Sequence, residues 1–125
     1  MDNNCPFCKV ESEREIIAST SLSIAFFDGY PVSQGHVLII PRRHVASFFD
    51  LTENEQLDML MLAKRVKGII DEMYHPDGYN IGVNVGEAAG QSVFHVHIHV
   101  IPRYKGDVPN PRGGVRGVIP SKQSY

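Results

Sequence analysis

Three histidines alternate in His95-Val96-His97-Ile98-His99-Val100-Ile101, and in an extended chain that spacing puts the imidazoles on one side and the aliphatic residues on the other. Neighbouring rings in such a row stand roughly 6–7 Å apart at the backbone, so protonating two of them would bring like charges together. At least one is expected to stay neutral near pH 7, and a neutral imidazole has a nucleophilic lone pair that can attack phosphorus. The alternation also suits a metal, because His-x-His supplies two ligands to one ion, but that reading needs a third ligand. Gln91 and Ser92, just upstream, are residue types that hydrogen-bond phosphate oxygens. Both cysteines lie in Cys5-x-x-Cys8, which in a reducing compartment reads as half of a metal site or a redox pair rather than a structural disulfide.

The elements around these residues are marked by turn chemistry. Residues 16–18 and 22–27 are short apolar runs separated by Ser19-Thr20-Ser21, as in an antiparallel hairpin, and Asp28-Gly29-Tyr30-Pro31 is a turn. Residues 36–40 form a third strand, apolar enough to be covered on both faces, that Pro41 ends. Thr52 and Glu55 have capping-box spacing, so a long helix is expected from there to the His75-Pro76-Asp77-Gly78 stop. Its core stripe is read as Leu57, Leu60, Met61, Val66, Ile69, Ile70 and Met73. Residues 79–85 and 94–101 are strands joined through a loop at 86–90, with Pro102 closing the second. Beyond Gly106 the chain lacks periodicity and reads as an irregular tail of one domain spanning 1–125. Strands, one long helix and more strands without βαβ repetition imply an α+β domain, with about five mainly antiparallel strands and the helix on one face. The opposite face is then free for chemistry.

The 125 residues are 42 % hydrophobic and 21 % charged, which is enough for a core of its own and unlike a disordered chain. A formal charge of -2 gives no net positive field for nucleic acid or an anionic membrane, so an anionic ligand must be held locally. Met1-Asp2-Asn3-Asn4-Cys5 lacks the basic and apolar regions of a leader, and no run nears the roughly 18–20 apolar residues of a membrane span; the expectation is a cytoplasmic protein.

Gly90-Gln91-Ser92-Val93 followed by His95-Val96-His97-Ile98-His99-Val100 resembles the signature of the histidine-triad (HIT) family of nucleotide hydrolases and transferases. Residues 25–28 and 35–41 are similar to the family's upstream nucleotide-site strands, and Cys5-Pro6-Phe7-Cys8 to its zinc-binding branch. The resemblance implies a HIT-like fold with a short second helical segment, and a homodimer that pairs helices and continues one sheet across two chains. By it, His97 attacks an α-phosphorus to form a nucleotidyl-histidine intermediate that water cleaves. His99 and His36 then contact phosphate oxygens, Ser92 and Gln91 add donors near the leaving group, and Gly90 lets the backbone approach. Asp28 is implied to hold the ribose hydroxyls of a purine nucleotide, Phe7, Phe26 and Leu38 to enclose the base, and Asn84 to face the phosphates. Cys5, Cys8, His44 and His95 are implied to hold a structural zinc, with no organic cofactor.

The segment 102–107 is similar to the branch that cleaves dinucleoside polyphosphates, and the chain has no Trp, which the phosphoramidase branch usually carries near its C-terminus; Asn84 resembles that phosphoramidase branch. Dinucleoside polyphosphate hydrolysis is the leading expectation, ahead of nucleoside phosphoramidate hydrolysis. A zinc enzyme using the histidine row as ligands and a non-catalytic nucleotide-binding module are the readings from other classes.

Overall fold

The hairpin expected from the two apolar runs forms from Ile16–Ser19 (β1) and Ser23–Phe27 (β2) in the computed structural model, which describes residues 4–125. Residues 1–3, on which part of the leader reading rests, lie outside the described residues. With Val37–Pro41 (β3), Gly78–Val83 (β4) and Ile98–Arg103 (β5), the hairpin builds one sheet in the order β1-β2-β3-β5-β4, and all neighbours are antiparallel. A short helix at Val10–Glu13 (α1) precedes the sheet, and Glu53–Tyr74 (α2) packs across β1, β2, β3 and β5.

The long helix begins as expected. Thr52 Oγ1 accepts the Glu55 N–H at 3.1 Å, and Glu55 Oε1 accepts the Thr52 N–H at 2.9 Å. His75 ends it in the left-handed region (φ 52°) just before Pro76. The core stripe differs from the expected one. Met59, Leu62, Ala63, Val66 and Ile70 face the sheet, whereas Leu57, Leu60, Met61 and Met73 are at least half exposed and Ile69 only packs at the margin. At 3.6 residues per turn Leu57 and Met61 fall on the side opposite Met59 and Val66, so α2 carries two apolar faces, and periodicity alone does not say which one the sheet covers.

Alternation along the strands divides the molecule. Ala25, Val37, Ile39, Ile98 and Val100 point to α2, while Ile24, Phe26, Leu38 and Ile40 form a second cluster with Cys5, Phe7 and Val10 from the N-terminal segment. His99, paired with Leu38, shares this second side.

Several boundaries depart from the reading of the chain, and β4 ends at Val83 rather than at 85. β5 runs from 98 to 103 rather than 94 to 101. Continuing its register with β3 would oppose Val96 to Pro41, and because the Pro41 carbonyl is turned toward His95, the missing Pro N–H lies on that same side. The ladder stops there, so only His99 of the three histidines is on the strand. At the other end β3 reaches no farther than Val100, so Pro102 continues β5 beside β4 alone, without needing a donor toward β3. The tail is also more ordered than its composition suggested, with a 3-10 turn at Gly114–Val118 that packs on β4 and a second at Pro120–Lys122 that packs on the first.

Candidate active site

The side of the sheet away from α2 holds a cavity of about 530 Å³, bordered by Phe7, Asp28, Leu38, Asn84, Gly90, Ser92, His97 and His99. Its size and its mixture of apolar walls with a few polar groups are those of a small-molecule site. Phe26, expected to enclose a base, does not border it; the ring is fully buried behind Phe7, which it meets edge-on at 5.5 Å. Gly90 turns the chain at φ 93°, in the left-handed region that glycine adopts without strain.

Each imidazole is oriented by what its other nitrogen touches. His97 Nδ1 lies 3.0 Å from the His95 carbonyl; a carbonyl only accepts, so the proton is on Nδ1 and the Nε2 lone pair is left free. His36 Nδ1 accepts the Val32 N–H at 3.1 Å, so neutral His36 carries its proton on Nε2, 3.0 Å from His99 Nδ1 and 3.5 Å from Asp28 Oδ2. His99 then accepts at Nδ1 and has its own proton on Nε2. Burial lowers the pKa of His36 against the opposing pull of Asp28, and lowers His99 to about 4, with help from the neighbouring His97 and His36. Both rings are neutral at pH 7. The His97 and His99 rings meet at 5.0 Å, and a pair so close favours at least one neutral member.

Asp28, His36 and His99 bring three ligand-type atoms within 4.8 Å of one another. The His36 tautomer argues against a cation among them, since the Nε2 proton occupies the direction a metal would need. Gln91, expected near a leaving group, is committed elsewhere. It is buried, its amide donates to the carbonyls of Ala46 (2.7 Å) and Val93 (3.2 Å), and its oxygen accepts the Gly86 N–H. It holds the 86–93 loop in shape, whereas Ser92 is exposed at the cavity rim. Arg14 also borders the cavity, although no motif in the chain points to it. It reaches the rim from just after α1, with its guanidinium over the Phe26 ring at 5.3 Å.

His95 faces another way. Its Nε2–H donates to the Pro41 carbonyl at 2.8 Å, so Nδ1 is a lone pair, 3.5 Å from both Cys5 Sγ and Cys8 Sγ. His44 Nδ1 is 3.2 Å from Cys8 Sγ, and the four ligand atoms all lie within 4.8 Å of one another. Sulfur and nitrogen ligands of one tetrahedral zinc would be separated by roughly 3.5 Å, so this donor set fits that ion and leaves no open position. Burial lowers the His95 pKa, which keeps the ligand form available. Phe7 stands edge-on to both His95 and His97, at 6.2 and 5.1 Å, between the two clusters.

The α+β sheet thus brings His36, His97 and His99 together beside a cluster of Cys5, Cys8, His44 and His95. The HIT domain family matches residues 9–106, and the chain belongs to that family. It is 42 % identical over 98 residues to a bis(5'-adenosyl)-triphosphatase of Dictyostelium discoideum, covering 78 % of this chain and 66 % of that relative. It is 40 % identical over 103 residues to an adenosine 5'-monophosphoramidase of Schizosaccharomyces pombe, covering 80 % and 74 %. This chain therefore spans just under two thirds of the length of the first of these. A zinc-bound histidine triad family protein from Mycobacterium smegmatis superposes with a TM-score of 0.78 at 32 % identity, over 86 % of this chain and 80 % of that one.

Proposed function

We propose that the protein is a hydrolase cleaving dinucleoside polyphosphates at the α-phosphate through a nucleotidyl-His97 intermediate. The observation that carries this is the His95 carbonyl on His97 Nδ1, which leaves Nε2 unprotonated at the cavity wall. In the first step Nε2 forms a bond to phosphorus as the bond to the bridging oxygen breaks, and the second nucleotide leaves with the electron pair. Water then breaks the P–N bond, releasing a nucleoside monophosphate and restoring the imidazole. Phosphoryl transfer needs mainly positioning and charge stabilisation, and the His99 Nε2–H, Ser92 and Asn84 supply neutral donors for it. Asp28 holds the ribose hydroxyls, and Phe7 and Leu38 hold a purine base. The relatives' names support the substrate class, and the phosphoramidase among them keeps nucleoside phosphoramidates as the second reading. Comparing kcat/KM on diadenosine triphosphate and adenosine 5'-phosphoramidate tests the choice, and a tenfold preference for the phosphoramidate would reverse it.

Zinc on Cys5, Cys8, His44 and His95 would supply a cross-link between the N-terminal segment, the end of β3 and the approach to β5, with no part in bond cleavage. A homodimer completes the proposal. Leu57, Leu60 and Met61 are exposed on α2, Gly68 on that same side leaves room for a close approach, and β4 is an unpaired edge with Ile81 half exposed. Light scattering giving 13.9 kDa at micromolar concentration would refute it.

A further inference from the structure

Among the described residues, Arg14 is the only Lys or Arg that borders the cavity, and the histidine chemistry does not use it. Its backbone is fixed where α1 ends, by its N–H donating to the Val10 carbonyl at 2.9 Å. The side chain is exposed, and its guanidinium lies over the Phe26 ring and donates from Nη1 to the Phe27 carbonyl in a long hydrogen bond of 3.4 Å. Among the described residues it makes no other hydrogen bond and no ion pair, so Nε and Nη2 keep their donors. At Gly29 a Cβ would come 3.3 Å from Nη1 and 3.4 Å from Nη2, so the lack of a side chain there leaves the fork uncovered.

The place of Arg14 on the sheet determines which end of a ligand it meets. Phe26 on β2 pairs with Leu38 on β3, which in turn pairs with His99 on β5. Two strand spacings, roughly 9–10 Å, therefore separate the ring under Arg14 from the histidine at the reacting end. A nucleoside spans that gap, whereas a phosphate at His97 does not reach across it. A base whose faces rest on Phe7 and Leu38 turns an edge toward the guanidinium.

We infer that Arg14 reads the base edge and makes the site prefer a 6-oxopurine, guanine or hypoxanthine, over adenine. The inference rests on the cavity holding a nucleotide with its phosphate at His97. Guanine presents N7 and O6 as adjacent acceptors, and a guanidinium fork meets such a pair with two N–H bonds. Adenine keeps N7 but places the N6 amino group where O6 would be, so one donor of the fork faces another donor. Burial against Phe7 and Leu38 is common to both purines and does not discriminate between them.

Calorimetric titration of the full chain with GMP, IMP and AMP tests this. GMP and IMP are each expected to bind about tenfold more tightly than AMP. Arg14→Met keeps an apolar cover on Phe26 without donors, and should bring the three affinities within about twofold by weakening GMP and IMP. Arg14→Lys keeps the charge and the aliphatic stem but loses the fork, and should lose the same preference. Equal affinities in wild type, or a preference that survives in either variant, would overturn the inference. So would IMP binding no better than AMP, which would put the discrimination at the 2-amino group. Because the readout is equilibrium binding, a protein that prefers GMP yet cleaves no dinucleotide contradicts the hydrolase reading alone. Binding of none of the three nucleotides contradicts both.

Discussion

His95 and His97 are two residues apart, and their backbone partners give them opposite tautomers. The Pro41 carbonyl takes the Nε2 proton of His95 and turns Nδ1 toward two sulfurs; the His95 carbonyl takes the Nδ1 proton of His97 and leaves Nε2 at the nucleotide-sized cavity. One residue type is therefore presented in two ways, within a donor set of the kind that holds a metal and as an imidazole with a free Nε2, and the difference between them is made by main-chain oxygens rather than by the imidazole. The ladder that fails at Pro41 is what frees that carbonyl for His95.

The comparison breaks most visibly if the roles exchange. His97→Asn should lower kcat by at least about a thousandfold while zinc content and ground-state nucleotide binding are kept, as assayed by single-turnover kinetics, elemental analysis and calorimetry. An active His97→Asn protein that chelators silence would move the chemistry to a metal.

On the other side, Cys8→Ser should lower zinc from about one ion per chain and reduce the melting temperature by about 10 °C, with kcat kept within about tenfold. Loss of turnover without loss of zinc or stability would contradict a structural metal.

A smaller effect separates the neutral histidines from the rest. His99 titrates near 4 in the folded protein against 6.5 for the free side chain, so between those values the unfolded chain binds the extra proton. Stability is therefore lost as pH falls from 6.5 toward 4, and denaturant titrations of His99→Asn at fixed zinc should show a shallower decline than wild type.

Glu55 lies away from both clusters and sets the scale for a purely structural change. Hydrogen bonding to Arg43 is the main cause that draws its pKa from 4.5 down to about 2, so its contribution is present above 4.5 and is lost as pH falls through 2. Glu55→Gln should cost about 1–2 kcal/mol at pH 7 by denaturant titration, with no change in kcat.

The histidine row, the Cys5-x-x-Cys8 pair and the capping box were legible because each depends on residue type and short spacing. The hairpin and β3 were legible for the same reason. Less of the rest could be read, since it depends on long-range partners. That Leu57 and Met61 leave the core follows from how α2 is rotated on the sheet, which a pattern with two apolar faces does not specify. That Gln91 is a loop brace follows from the Ala46 carbonyl, 45 residues away in the chain. The tail follows from close contacts between glycine backbone and Gln123 and from Arg116 bonding to main-chain carbonyls, neither of which leaves a periodic signal.

The central claim is that His97, and neither His95 nor His99, takes the nucleotidyl group. Rapid quenching without acid of wild-type protein turning over a slow substrate, followed by peptide mass spectrometry, tests it most directly. A nucleoside monophosphate adduct on His97 is the expected result; an adduct on another residue, or turnover with no adduct when the chemical step is resolved, would contradict it.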